Sequence, residues 1–481
     1  MQLQSEIDEA KAKLKLEEKM NKTRQWLAPI GLWVIAAILL AGSVLLTSCV
    51  NDDNPVVAHE YATLKEALQG IDCISDIKEN PDTAAIRKKA EGLLDYKKQY
   101  SMSFRQNLNH DQLGGETFEQ RVCILFRGFD RPTILVTEGY YWDEFKDAGD
   151  LGINLNANMV HVEHRNYGES CNRDEGLWQY QTIAQASADL HAVYQALKPI
   201  FKGKWMSAGT SKSGETSIGY AYCYPLDMNL AAAFCSPFVI GQNDERFGQY
   251  VFNEVGTAEE REWMKSGIRK ALQDGEEGLY KAVCQQMETD GQTVPVYTEY
   301  VFNLFDTFFQ VFQYTPQNDG RQETLEEMAT NDEVLVEEVS NAIEGNRDET
   351  IYPFFVESAK QMGWQDNGYD YFADLLDGTS FNRDEVLSAI LKPEDRWLIP
   401  TYDSSTYTGI VNKFLMTSTM PLLLFYVHDD PWSAGMPKQV GPNVKLVVNP
   451  IGRHSPYLND PKLCPSETKQ EVMNFVSTYI Y

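Results

Sequence analysis

Short apolar runs separated by turns fill the stretch from residue 104 to about 239, stop between about 240 and 410, and then return. VCILF (122–126), TILVT (133–137), MVHVEH (159–164), KWMSAG (204–209) and AAAFCSPF (231–238) have the length and composition of strands. A helical stretch, 180–199, lies between the third and the fourth. Strands alternating with helices demand a mainly parallel sheet covered by helices on both faces. Segments near 258–289, 297–313, 323–344 and 381–391 instead carry helical periodicity. LLLFYV (422–427) and VKLVV (444–448) resume the strand pattern, and 466–480 reads as a last helix. The simplest reading is one α/β domain in two parts, 100–239 and 411–481, interrupted by a helical cap over 240–410. Residues 57–99 read as helical, with Leu64, Ala67 and Leu68 on one face and Ala90, Leu93 and Leu94 on another. They make 50–99 a tether followed by a helical segment.

The amino terminus reads as an export signal. Residues 27–47 form an uncharged apolar run flanked by Lys22 and Arg24, and the run ends in Leu46-Thr47-Ser48-Cys49. Small residues before a cysteine look like a lipobox, which makes Cys49 the lipidated first residue of the mature chain. The alternative is a plain membrane anchor or secretory signal. Met20 is a possible true start. The expected location is the bacterial cell envelope, with 1–49 removed as signal and a lipid holding the chain to the membrane. Seven cysteines follow Cys49, so at least one stays outside any intramolecular pair. No CxxC pairing suggests a structural metal.

Hydrophobic residues are 43% of the 481, enough for a large core. Against 42 basic residues stand 70 acidic ones, a net charge of −28. That balance argues against nucleic acid, whose phosphates need a basic face. It leaves cationic ligands, such as peptide amino termini, as plausible partners.

The chemistry concentrates at Ser207-Ala208-Gly209-Thr210-Ser211-Lys212-Ser213-Gly214, between an apolar strand and a helical stretch. A serine on such a turn is pushed above the sheet edge, and the strained turn needs small neighbours. The G-x-S-x-G pattern holds except at Ser213, which replaces the last glycine. An ordinary glycine-serine turn is the plain alternative. The same residues nearly spell a phosphate loop, but Glu215 stands where that loop needs a lysine, so a nucleotide is not expected.

A serine nucleophile needs a histidine base and a carboxylate to orient it. In α/β-hydrolases the chain order is Ser, then Asp or Glu, then His. Only His428 and His454 follow Ser211. His454 lies in a loop just after the strand VKLVV. Asp429 and Asp430 lie just after LLLFYV, and either fits the carboxylate. The oxyanion hole needs two backbone N–H groups. Lys212 supplies one, and the loop Thr137-Glu138-Gly139-Tyr140-Tyr141 is the candidate for the other, through Gly139 or Tyr140. This chemistry calls for no metal and no organic cofactor.

Several motifs now come into line. Phe104-Arg105-Gln106-Asn107-Leu108-Asn109-His110, Thr117-Phe118-Glu119-Gln120-Arg121-Val122, Thr137-Glu138-Gly139-Tyr140, Glu163-His164-Arg165-Asn166-Tyr167-Gly168-Glu169-Ser170, Val255-Gly256-Thr257-Ala258-Glu259 and Asp429-Asp430-Pro431-Trp432-Ser433 occur in this order. The set resembles the bacterial serine tripeptidyl and tetrapeptidyl aminopeptidases, distant relatives of lysosomal prolyl carboxypeptidase and dipeptidyl peptidase. The likeness spans about residues 100 to 480. It implies an α/β-hydrolase fold with a cap, and Asp430 as the triad aspartate beside Ser211 and His454. It also implies an exopeptidase that releases short peptides from free amino termini, often with proline near the cleaved bond.

Such an enzyme needs a buried carboxylate for the substrate ammonium. Glu138 and Glu163 follow predicted strands and are the candidates, against a structural ion pair such as Glu163 with Arg165. The aromatic run Tyr297 to Tyr314 reads first as a packed helix face and second as a groove wall. Trp432 either contacts substrate or anchors its loop. Two rivals remain: a lipoprotein esterase or lipase with the same triad, and a non-catalytic peptide-binding lipoprotein.

Overall fold

The computed structural model describes residues 61–80, 98–112, 114–142, 149–171 and 177–481. The apolar run 27–47, Cys49, and Ala90, Leu93 and Leu94 lie outside these residues.

Nine strands form one sheet: β1 (Ile74–Asn80), β2 (Lys98–Asn107), β3 (Thr117–Phe126), β4 (Thr133–Thr137), β5 (Asn158–Val162), β6 (Trp205–Thr210), β7 (Leu230–Phe234), β8 (Leu422–Val427) and β9 (Val444–Asn449). Their spatial order is β1-β2-β3-β5-β4-β6-β7-β8-β9. β1, β2, β3 and β5 pair antiparallel, and from β5 through β4 to β9 every pairing is parallel. This is an α/β-hydrolase sheet with one extra strand at its amino-terminal edge. The central strands are buried on both faces, which is why they read as continuous apolar runs.

Helices cover the two faces. α1 (Leu64–Gln69), α2 (Gly149–Leu155), α3 (Ile183–Leu197) and α4 (Lys212–Cys223) precede the cap. Val193, Leu197, Ile218 and Ala221 pack on one face with Val122, Leu135 and Leu424. On the other, Val472, Val476 and Ile480 of the carboxyl-terminal helix (Ser466–Ile480) pack with Met206, Leu423 and Phe425.

The segment 57–99 differs from its helical reading. Among the described residues of this segment only Leu64–Gln69 is helical, capped by the Thr63 hydroxyl, which accepts from Glu66 N at 3.2 Å. Ile74–Asn80 is instead the edge strand β1. It is paired on one side only, and its register shifts between Ser75 and Lys78. An edge strand with a bulge keeps polar residues on both faces, so it lacks the period-2 signature.

Between β7 and β8 the chain builds the cap. It comprises α5 (Arg246–Asn253), α6 (Ala258–Leu272), α7 (Leu279–Thr289), α8 (Tyr297–Tyr314), α9 (Arg321–Thr330), α10 (Asp332–Asn346), α11 (Tyr352–Glu357) and shorter turns up to Thr401. The stretch 258–289 is two helices, interrupted by a short turn at Gly275–Glu277. The stretch 323–344 is also two, broken at Asn331, whose side chain caps α10. The cap has its own core around α8, with Tyr300, Leu304, Phe305, Phe308 and Phe312 buried. Each buried phenylalanine stabilises this core by roughly 1.5–3 kcal/mol. Tyr407, Ile410 and Leu415, like Met362, pack with the core of the sheet.

Candidate active site

Ser211 sits between β6 and α4 with φ 59° and ψ −133°. A serine held there costs about 1–3 kcal/mol, which the surroundings must offset. Ser211 N donates to Phe234 O at 2.8 Å, and Ser211 O accepts from Gly214 N at 2.9 Å and Glu215 N at 3.1 Å. A side chain at Gly209 would begin 2.1 Å from Ser213 Oγ, so the turn closes only on glycine. Ser213, where the motif has glycine, makes a reciprocal tie to β4. Its hydroxyl donates to Thr137 O, and Thr137 Oγ1 donates to Ser213 O at 2.7 Å. The loop after β4 thus lies against the turn: a side chain on Gly139 would begin 2.5 Å from Ser213 N. That contact brings the Gly139-Tyr140 backbone to the start of α4. The Tyr140 phenol, raised above its ordinary range by burial and then by Glu215, lines the same cavity as Ser211.

Asp430 and His454 follow β8 and β9, at the same edge of the sheet as Ser211. His454 Nδ1 lies 2.7 Å from Asp430 Oδ2, and Asp430 is 0% exposed. Asp430 Oδ1 accepts from Trp432 N at 3.2 Å. The opposite ring nitrogen, His454 Nε2, is buried and has no partner among the described residues. Asp429 is directed elsewhere, 2.8 Å from Arg321 and 3.0 Å from His428, whose side chain is 48% exposed. Cys235, Asp430 and His454 present possible ligand atoms within 4.8 Å of one another. The carboxylate is already bonded to the imidazole. Burial, followed by the nearby Asp430 charge, keeps the Cys235 thiol well above its usual range and therefore protonated. The trio suits support of the imidazole better than a cation.

Ser211 and His454 share a cavity of about 680 Å³, within the usual size for a ligand site. The sheet side contributes Tyr140, Tyr141, Lys212, Glu215 and Trp432. The cap contributes Phe302, Asp306, Gln310, Gln313 and Tyr314 from α8, with Asn346, Phe354, Phe355 and Trp364. A hydroxyl on a strained turn, sharing a cavity with an aspartate-bound imidazole whose other nitrogen is vacant, has the parts for acyl transfer.

Residues 63–373 match the model of the PS-10 peptidase S37 family. The chain belongs to this family. It is therefore a serine peptidase, as its motifs implied. This S37 peptidase is 24% identical over 415 residues to prolyl tri/tetrapeptidyl aminopeptidase of Streptomyces mobaraensis, covering 85% of this chain and 82% of that one. It also aligns with two solved structures at 12% identity. One is a thermophilic esterase from Thermogutta terrifontis (78% of this chain, 99% of that one, TM-score 0.33). The other is a proline iminopeptidase from Mycobacterium smegmatis (78% and 98%, TM-score 0.33).

In the S37 peptidase neither Glu138 nor Glu163 is brought to the Ser211 cavity, which corrects their expected role. Glu138 lines a separate hollow, 2.8 Å from His161 Nδ1. Glu163 is fully buried; it accepts from Ser170 N at 2.9 Å, Ser170 Oγ at 2.8 Å and Trp142 N at 3.3 Å. Nor does Glu163 pair with Arg165, whose guanidinium holds Asp189 through two contacts of 2.7 Å. Trp432 does line the cavity, and it also packs on Phe247 at 6.0 Å. The aromatic run of α8 is mostly core, with Phe305, Phe308 and Phe312 buried; Phe302, also in that core, and the exposed Tyr314 line the cavity.

Two charged links were not expected. Lys212 Nζ lies 2.9 Å from Glu357 Oε2, both side chains almost fully buried. Burial works against the Glu357 charge, but Lys212, with help from His164 and Gln181, holds the carboxyl below its ordinary value. His164 is lowered to about 4 by burial and then by Lys212, so it is neutral at pH 7. Arg321 bridges Asp429 to Glu260 of α6, at 2.8 Å on both sides. Both links join the cap to the loops around Ser211 and Asp430. No local motif announces them, because their partners are far apart in the chain. Asp306 did leave a signal: an acid set in an aromatic helix, at four-residue spacing from Phe302 and Gln310.

Proposed function

We propose that this S37 peptidase is an exported exopeptidase that removes tri- or tetrapeptides from free amino termini, with a preference for proline at the cleaved bond. The observation that carries the reading is the vacant Nε2 of the Asp430-bound His454, sharing a capped cavity with the strained Ser211. The product length and the proline preference are supported by the name of the Streptomyces relative.

In this reading Ser211 Oγ attacks the peptide carbonyl while His454 Nε2 takes its proton. Asp430 holds the imidazole in the required tautomer and stabilises its charge. The backbone N–H groups of Lys212 and the Gly139-Tyr140 loop receive the oxyanion, a contribution of about 10²–10³ in rate per donor. His454 then protonates the leaving amine, and water releases the acyl group by the same steps in reverse. No step uses a metal or a cofactor.

Lipid anchoring at Cys49 in the bacterial envelope belongs to the same proposal. Its support is the apolar run 27–47 and the Leu46-Thr47-Ser48-Cys49 ending. Cys49→Ala in cells is expected to release the chain from the membrane fraction. A Cys49→Ala chain that stays with membranes and is processed as before would remove the lipid from the reading.

The deciding experiment incubates the enzyme with peptide pairs that differ only in a free or acetylated amino terminus. Products are read by mass spectrometry, with Ser211→Ala alongside. Stepwise loss of three or four residues from the free form alone, abolished by Ser211→Ala, is the expected result. Equal cleavage of both forms would refute an aminopeptidase.

A further inference from the structure

Two carboxylates line the Ser211 cavity among the described residues, Glu215 and Asp306. Glu215 stands one helical turn after Ser211, in the first turn of α4. It is bonded by Tyr407, and burial keeps it well above the ordinary carboxylate range. Asp306 lies opposite, on the cap. It is 7% exposed, and its partners are amides rather than cations: Gln310 Nε2 donates at 2.7 Å, and Asn346 also bonds it. A buried carboxylate opening into a cavity without a counter-charge is costly unless something arrives to neutralise it.

We propose that Asp306 receives the ammonium group of the substrate's amino terminus. This rests on the aminopeptidase reading and supplies the residue that the reading lacked when Glu138 and Glu163 proved to lie elsewhere. Gln310 and Asn346 orient the carboxylate, and the Phe302 and Trp364 rings, 5.5 Å apart, add an aromatic wall beside the cation.

The position of Asp306 on α8 also sets a length. At the carboxyl end of α8, Gln313 O accepts from His454 N at 3.0 Å, so that end of the helix touches the histidine loop. Asp306 precedes Gln313 by seven residues, or roughly 10 Å at 1.5 Å rise per residue. An extended peptide covers that distance in about three residues. A substrate whose ammonium rests on Asp306 therefore presents about its third carbonyl to Ser211. Phe302, one turn further back on α8, lines the same cavity beyond Asp306.

The test uses the full-length enzyme in detergent, wild type and Asp306→Asn, on tripeptide anilides with free or acetylated amino termini. Asp306→Asn is expected to lower kcat/KM on the free substrate at least tenfold, mainly through KM, so that the preference for a free terminus collapses. Its melting temperature is expected to stay level or rise. Fluorophosphonate labelling of Ser211 reports an intact turn, and Asp306→Glu is expected to restore part of the preference. An Asp306→Asn enzyme that keeps its preference for the free terminus overturns the assignment while the aminopeptidase reading stands. Equal losses on both substrates with a lower melting temperature mark a structural carboxylate and also overturn it. A wild type indifferent to acetylation removes the aminopeptidase reading itself.

Discussion

The ammonium of Lys212 lies 2.9 Å from the carboxylate of Glu357, so the residue beside Ser211 is bound to the last helix turn of α11 in the cap. Both groups are buried, and neither tolerates loss of the other. Glu357→Gln is expected to destabilise the fold by about 3–5 kcal/mol, read from urea unfolding. Lys212→Met combined with Glu357→Gln is expected to cost less than the two single changes together. Strict additivity would show that the two groups do not interact.

Tyr140 is placed to act through its phenol as well as its backbone. Tyr140→Phe removes the phenol hydroxyl from the Ser211 cavity, where it could bond the serine or the substrate, and leaves the ring between Tyr167 and Phe354, 5.8 and 5.9 Å away. A single neutral hydrogen bond is worth about 0.5–1.5 kcal/mol. The expected result is a fall of a few-fold to tenfold in kcat with an unchanged melting temperature. An unchanged kcat would reduce the phenol to packing.

Asp430→Asn keeps the volume but presents an amide to His454 Nδ1. The imidazole then holds its proton on the wrong nitrogen, and kcat is expected to fall by about 10⁴. Asp429→Asn disturbs only the Arg321 and His428 contacts and is expected to act on stability. Comparable kcat losses in the two variants would contradict the assignment to Asp430.

Burial lifts Asp306 from 3.8 to about 6, with the Gln310 and Asn346 bonds restraining the rise. The other ionisable groups bearing on it are the Tyr314 and Tyr369 phenols. Above pH 6 the carboxylate is charged and ready for an ammonium; below it, KM for free-amine peptides is expected to climb. A folded-state value above the unfolded one means the empty fold is relatively favoured at low pH and loses that advantage as pH rises through 6. The loss at pH 7 is on the order of 3 kcal/mol. The stability of Asp306→Asn minus that of wild type should thus be near zero at pH 4 and grow to this size above about pH 6.5. A difference independent of pH would contradict the elevated value.

Legibility in the sequence followed burial. LLLFYV and TILVT match β8 and β4 residue for residue, because strands buried on both faces leave unbroken apolar runs. β1 left no such mark, since one of its edges is unpaired. Asp430 and His454 could be placed by chain order and loop position, and the fold brings them to 2.7 Å. Glu138 and Glu163 show the limit of that logic. Position after a strand tells which edge of the sheet a side chain occupies, but not which side of its loop it faces. Asp306 is hard to read as a site residue because the aromatic residues around it mark a core helix, and all of them but Tyr314 are core.

The cap enters between β7 and β8, after Ser211 and before Asp430. Lengthening a loop costs a chain only with the logarithm of its length, so this junction accepts helices cheaply. The strands that fix Ser211, Asp430 and His454 are untouched by what is inserted there. On the proposed reading the groups that break the bond stand on the sheet and the acid that holds the ammonium stands on an inserted helix, so sliding that one acid along its helix would change the peptide length without disturbing the triad.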